Sequence, residues 1–563
     1  MVMKNKIPII LFMFLMVLLL LPLGQKYLLK IEIKPLNGQW NRVKKPEFKY
    51  ESFVSWQYQK EIEKYVSENY GFNEFPVRIY NEFIWDVFGK THVDYLIKGR
   101  DGWIFNKDDI KSYYGSFQHS NFQNNQQAAS VYDKLALNIY KLRGVLSDYG
   151  IGFVVFITPN KCKLYRQYLP EWEDDTTTVK TLDYFKNKFD GYGIPCLDMT
   201  EVFHAIGDTI PFPLIGPGGA HWNFSCVYGI DSLLQYVGKV IGIENIAKIK
   251  YGELQPYDRT MVKENMADYD SEGMLNLLFP RNHDKFRLYK ADIHYQNGTT
   301  CAKPSMLFVG NSYFWRPLEL IEFDSVISNC RFLYYNNTSV AENKSIPTSE
   351  IDYPSEILQS DCIVTFCNDI QLHEITFGFV NKALVEICVP DSIMEREISN
   401  LCGRHGISRD DAIRWIYKNT DNIPELRGEQ IPRIRNKKTQ LLFDAIKNIR
   451  NDNIWLAKLY DIKKYFGKTN TEIVGMEANN IINKRNLLCD YDSLMCKKQY
   501  EYMIDSIVSW LKHDHMKYYK QQARKTGRPL EVSINEAAEW YFRKHSNEFT
   551  PLILSRLEAD RDR

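Results

Sequence analysis

The hydrophobic pattern opens with a near-continuous apolar run, Ile7 to Leu23, behind Lys4 and Lys6. At 1.5 Å per residue such a run is near the lower limit for crossing a bilayer. Basic residues stay on the cytoplasmic side, and no small-x-small cleavage signature follows the run. Residues 1–24 therefore read as an uncleaved signal anchor, with a cleaved or lipidated form as the alternative. On that reading the N-terminus is cytoplasmic and the body of the chain periplasmic or otherwise extracytoplasmic. Residues 25–95 read as a stalk and lead-in segment, in which Phe75 to Phe88 has helical apolar spacing and is expected to pack into a core.

Beyond Tyr95 the period alternates. Ala128 to Tyr149 places Tyr132, Leu135, Ile139, Leu142 and Leu146 at helical spacing, with Gly150 and Gly152 as terminators. Phe153 to Ile157 is a wholly apolar run, as in a strand buried on both faces. An amphipathic stretch from Thr178 to Phe189 and a short strand at Ile194 to Leu197 follow. A helix is predicted over Tyr228 to Val240, and central strands at Met306 to Val309 and Ile363 to Phe366. This βαβ rhythm predicts an α/β domain over residues 96–388, a parallel sheet with helices on both faces. Past Val389 strand-like runs vanish and charged amphipathic stretches take over, so residues 389–563 read as an all-α C-terminal domain. In it Gly406, Gly467 and Gly527, spaced by roughly sixty residues, are expected to end successive helices of repeated hairpins. Coincidence among Lys-rich helices is the other reading of that spacing.

Composition narrows the function classes. The 44% hydrophobic and 25% charged content is that of a globular chain. With 71 basic and 70 acidic side chains and no basic patch interleaved with aromatics, nothing gathers nucleic acid. Eleven cysteines without a CxxC pair argue against a zinc site or a disulfide framework, and they are read as mostly buried thiols. Cys362 and Cys367 fall on opposite faces of their strand. No phosphate loop or HExxH helix occurs, and no cofactor or metal is expected.

Two short motifs carry candidate chemistry. The strand Met306 to Val309 runs into Gly310-Asn311-Ser312-Tyr313, which puts Ser312 at the carboxyl end of a strand, where doubly wound sheets bind ligands. Gly310 permits a sharp turn, and amides near Ser312 are placed to line an oxyanion site, with Asn311 either adding a donor or capping the next segment. A serine needs a base, and His221, after the loop Ile215 to Ala220 and before a predicted helix, is the candidate.

With Gly99-Arg100-Asp101-Gly102-Trp103-Ile104-Phe105 and Thr158-Pro159-Asn160-Lys161 (followed by Tyr165 and Leu169-Pro170), then His221-Trp222-Asn223 and Gly310-Asn311-Ser312-Tyr313, the chain resembles the alginate O-acetyltransferase AlgX/AlgJ family over roughly residues 50–385. The resemblance implies an SGNH hydrolase-like domain with its His motif ahead of its Ser motif. It also implies acetyl transfer onto a polysaccharide, with a membrane-bound O-acyltransferase as the partner supplying the acetyl group. Ser312 and His221 are then the catalytic pair, and Gly310, Asn311, Tyr313, Asn223 and Lys161 fall on landmarks that contact substrate or order the loops. One departure stands out. Family members often read Asp-x-His-Trp, whereas Gly219 stands in the place of that Asp. Either a Ser-His dyad suffices, or an acid such as Asp198 or Asp369 substitutes, or the site only binds glycan; a carbohydrate esterase with the same residues is the further alternative.

Overall fold

The computed structural model describes residues 7–25, 34–38, 43–114 (without 70 and 73), 125–172, 180–257, 267–281 (without 280), 288–298 (without 297), 301–483 (without 343, 434 and 435) and 501–544 (without 502 and 543). They fall into two compact units, Met1–Thr439 and Gln440–Arg563.

In the first unit, β1 (Leu96–Lys98) and β2 (Ile104–Asn106) form the predicted tight hairpin, with Asp101 and Gly102 both at positive φ in its turn. The main sheet is built from β3 (Gly152–Ile157) and β4 (Cys196–Asp198). Two small antiparallel pairs follow, made by β5 (Lys248–Tyr251), β6 (Gln255–Tyr257), β7 (Leu288–Lys290) and β8 (Ile293–Gln296), pairing β5 with β8 and β6 with β7. The main sheet resumes with β9 (Ser305–Gly310), β10 (Asn329–Tyr334), β11 (Thr338–Ala341), β12 (Lys344–Pro347) and β13 (Cys362–Cys367). Its order is β12-β11-β10-β9-β13-β3-β4; the five strands from β10 to β4 are parallel, and β11 and β12 add an antiparallel edge.

All six residues of β9 and of β13 are buried, which is why their sequences are mostly apolar rather than alternating, with Ser305 and Thr365 the exceptions. One face, with Val154, Phe156, Phe308, Val364 and Phe366, packs on the helices Met199–Ile206 and Cys226–Ile241. The helix Asn125–Ser147 also packs on β3, and against the helices Thr181–Tyr192 and Phe379–Cys388. Cys362 belongs to the first core and Cys367, five positions on, projects from the other face by the period of two. The nine described cysteines form no disulfide with one another; Cys489 and Cys496 lie outside the described residues.

Two features differ from the sequence reading. The helix Glu74–Phe88 does not bury its aromatic stripe: Phe75, Ile79, Phe83 and Val87 are exposed, while Asn81 and Trp85 are buried. Its polar side chains bind neighbouring backbone groups, and those bonds set which face turns inward. The helices Asp391–His405 and Arg409–Lys418, which resemble the tail in texture, sit in the first unit. There the chain just beyond them packs on the helix Asn125–Ser147, where the buried Lys141 donates to the Leu426 carbonyl at 2.9 Å. The helix Ile7–Leu23 is apolar and largely exposed, but among the described residues no helix is long and apolar enough to cross a membrane.

In the second unit the helix Asn470–Ile482 begins with a Thr469/Glu472 capping box. Ile507, Leu511, Ile534 and Ala538 form a small core. Gly467 and Gly527 there, like Gly406 in the first unit, each follow a helix at positive φ, the conformation that a helix-ending glycine supplies.

Candidate active site

The serine turn is fixed first by a glycine. A Cβ at Gly310 would lie 2.5 Å from the Phe366 carbonyl oxygen of β13, so only glycine lets β9 leave the sheet this close to its neighbour. Asn311 is buried; its Oδ1 accepts the Tyr313 N–H at 3.2 Å and its Nδ2 donates to Gln371 Oε1 at 2.6 Å. Its Oδ1 and one Nδ2 proton are committed to the turn, the capping role that the sequence left open beside a donor role. The Ser312 N–H, by contrast, meets no acceptor among the described residues.

Tyr313 ties the two motifs together. Its ring lies 4.7 Å from the His221 ring, its hydroxyl donates to the Ala220 carbonyl at 2.7 Å, and its own carbonyl accepts Trp222 Nε1–H at 2.9 Å. Trp222 is fully buried in the core beneath β3 and β13. The imidazole is thus held from both ends of its loop, and its Nε2 lies 2.8 Å from Ser312 Oγ.

Lys161 braces the same loop from below. Its buried ammonium donates to the carbonyls of Ile104 at 2.7 Å, Pro217 at 3.0 Å and Gly219 at 2.5 Å. All three protons are used on backbone, so the residue joins three of the motifs and offers nothing to a substrate. Burial pulls its pKa down to about 7, opposed by the nearby charges of Asp270 and Asp109. Lys161→Met is expected to destabilise the fold by at least about 2 kcal/mol, since a buried carbonyl left unpaired costs about 1–3 kcal/mol; unchanged denaturant midpoints would contradict this. Asn223 has a comparable part, its Nδ2 donating to the Pro213 carbonyl at 2.7 Å and its Oδ1 accepting the Ser225 N–H at 3.0 Å. It is buried and shapes the turn into the helix Cys226–Ile241.

Neither acid named from the sequence reaches His221. Asp198 caps the helix Met199–Ile206 through the Thr200 N–H at 2.9 Å, and buried Asp369 accepts from Asn160 Nδ2 at 3.0 Å and pairs with Lys163 at 3.3 Å. The ring is met instead by Asp270, whose Oδ2 bonds His221 Nδ1. Its Oδ1 accepts two backbone N–H groups, of Ala220 and Ser271, each at 2.7 Å. An ionised carboxylate only accepts, so Nδ1 carries the proton and Nε2 keeps the lone pair for Ser312. The three side chains are partly buried and form a Ser-His-Asp relay, able to deprotonate the hydroxyl and support the imidazolium that results.

The loop before His221 explains how this acid arrives. A Cβ at Gly219 would lie 2.1 Å from the Ala267 carbonyl oxygen, and one at Gly216 would lie 2.8 Å from that of Asp268. Residues 267–270 thus occupy the space that a side chain at 219 would need. The glycines of this loop were the available signal: they imply a second backbone lying against them, without saying which. A cavity of about 570 Å³ opens beside His221 and Asp270, with Tyr95, Asn106 and Asn37 in its walls. Among the described residues no group of His, Cys, Asp and Glu is placed to hold a metal.

The parallel sheet with a serine at the carboxyl end of a central strand and a histidine opposite defines an SGNH hydrolase-like architecture. Residues 96–212 match the family model of the SGNH hydrolase-like domain of acetyltransferase AlgX, so the chain carries a domain of that type. The matched stretch holds β1 to β4 and Lys161 and ends before His221. No curated protein matches the chain. Among solved structures it is similar to the O-acetyltransferase domain of Pseudomonas putida AlgJ, at 14% identity over 49% of this chain and 92% of that one, with a TM-score of 0.31. Pseudomonas aeruginosa AlgX is similar at 15% identity over 52% and 65%, with a TM-score of 0.33. Bacillus cereus PatB1 is similar at 12% identity over 45% and 93%, with a TM-score of 0.28.

Proposed function

We propose that this chain is an O-acetyltransferase that acts on an exported or cell-envelope polysaccharide through an acetyl-serine. The observation that carries the reading is the 2.8 Å approach of His221 Nε2 to Ser312 Oγ with Asp270 bonded behind the ring. Ser312 Oγ attacks the acetyl carbonyl as its proton passes to His221, and the Ser312 N–H, which meets no acceptor among the described residues, donates to the oxyanion. The donor's leaving group departs with that proton. A sugar hydroxyl, deprotonated by the same imidazole, then attacks the acetyl-serine, and Ser312 recovers its proton as the sugar ester leaves. We assign the supply of acetyl groups to a membrane-bound O-acyltransferase, and the apolar segment 7–23 to holding the body at the outer side of the membrane.

Full-length protein given p-nitrophenyl acetate and candidate oligosaccharides should yield acetylated oligosaccharide, with an acetyl mass on Ser312 under single turnover. Release of acetate alone, undiminished by any acceptor, would make the protein an esterase. Absence of both turnover and adduct would defeat the catalytic reading.

A further inference from the structure

Asp270 begins a helix of only five residues, Asp270–Met274, too short to stand by itself. The chain just after it is held from the N-terminal part of the molecule. Asn276, at φ 49°, clasps Asn37 reciprocally: its Oδ1 accepts the Asn37 N–H at 2.7 Å and its Nδ2 donates to the Asn37 carbonyl at 3.0 Å. Asn37 Nδ2 donates back to the Gly273 carbonyl at 3.0 Å. From the helix Glu74–Phe88, Asn81 Nδ2 donates to the carbonyls of Leu275 at 3.0 Å and Asn276 at 3.3 Å, and Glu82 Oε2 accepts the Leu278 N–H at 3.0 Å. Asn81 and Asn276 are both buried. The bonded strip 273–278 starts three residues after the one that orients the base.

We propose that Asn276 and Asn81 are positioning residues for Asp270, so that the segment before the SGNH-like domain is a working part of the active site. The proposal rests on Asp270 being the acid that orients His221. A carboxylate must hold one Nδ1–H within a few tenths of an ångström, and a five-residue helix without an outside brace has too few bonds of its own to do so. The helix is tied on one side to the His221 loop, where the Gly218 carbonyl accepts the Glu272 N–H at 2.9 Å, and beyond its end by two further stretches, 34–38 and the helix Glu74–Phe88. Asn37 also shares the cavity wall with His221 and Asp270, so the same strap borders the space beside the base.

The test is a double-mutant comparison on the full-length protein with p-nitrophenyl acetate. Asn276→Gly keeps the positive-φ backbone but removes the side chain's two hydrogen bonds to Asn37 and its donation to the Met274 carbonyl; Asn81→Leu keeps volume and removes the two donations. Each should lower kcat by about 10- to 100-fold with KM unchanged. In an Asp270→Asn background each should cost less than about twofold more, because the group being positioned is already disabled. Wild-type kcat in either folded variant overturns the proposal. So does an equal loss in both backgrounds, which marks a structural effect independent of Asp270. If one variant does not fold, the other carries the same comparison, and Asn37→Ala, which deletes a single bond, supplies a third. Failure here with Ser312→Ala inactive removes the clamp alone, whereas full activity of Ser312→Ala removes the site on which it rests.

Discussion

Ser312→Ala should abolish turnover of an acetyl ester, lowering kcat by about 10⁵-fold, or roughly 7 kcal/mol of transition-state stabilisation. The methyl group left behind has no proton to give and no oxygen to acylate, so nothing else in the turn can form the covalent intermediate. His221→Ala should cost nearly as much, and the double variant little more than either, because base and nucleophile act as one unit. Stability should barely change in Ser312→Ala. The side chain is only partly buried and its bond runs to His221, while Asn311 and Gly310 hold the turn without it. Kinetics on the purified variant, alongside its denaturation midpoint, check both halves of the expectation. Residual activity within tenfold of wild type would place the chemistry elsewhere.

The parts of this molecule that were legible in sequence are those set by short-range periodicity. β3, β9 and β13 announced themselves because a strand buried on both faces is apolar at most positions instead of every second one, and Gly406, Gly467 and Gly527 because a helix that ends in a left-handed turn favours glycine. Ser312 and His221 were visible for a related reason: each follows small residues at the end of an element, where type and placement together point to chemistry. The orienting acid was not visible, since Asp270 and His221 are brought together by a close backbone contact between distant segments, and no local period encodes a contact of that kind. For Asn223, Asn311 and Lys161 the sequence left two roles open, contact with substrate and ordering of the loops or turn, and the hydrogen bonds they make are those of the second. The sequence shows a polar side chain; only the fold shows which partners its hydrogen-bonding groups meet, backbone carbonyls and amides for Lys161 and Asn223 and the Gln371 side chain and Tyr313 N–H for Asn311. The helix Glu74–Phe88 failed in the opposite direction, its aromatic spacing suggesting burial while Arg78, Asn81 and Glu82 on the other face bind the chain around residues 34–38 and 275–279.

Asp270→Asn should lower kcat by about 10⁴-fold, about 5.4 kcal/mol, although it changes one atom. Oδ1 of Asp270 receives two backbone N–H groups, from Ala220 and Ser271, so in the variant the amide oxygen is forced into that position. The NH₂ group then faces His221 Nδ1. A donor there requires Nδ1 to accept, which moves the ring proton to Nε2, where it confronts Ser312 Oγ and leaves no base for the hydroxyl. The variant should fold normally, bind as before, and fail at proton transfer. Restoring the acid two residues before His221, as Gly219→Asp in the Asp270→Asn background, should not rescue it, because a Cβ at 219 would lie 2.1 Å from the Ala267 carbonyl oxygen. Substantial recovery of kcat in that double variant would mean that the 267–270 segment yields easily and that the acid's position is not fixed by this contact. Failure to recover, in a protein that still folds, would tie the glycine at 219 and the acid at 270 to one packing solution, in which the backbone that displaces the usual carboxylate also delivers its replacement.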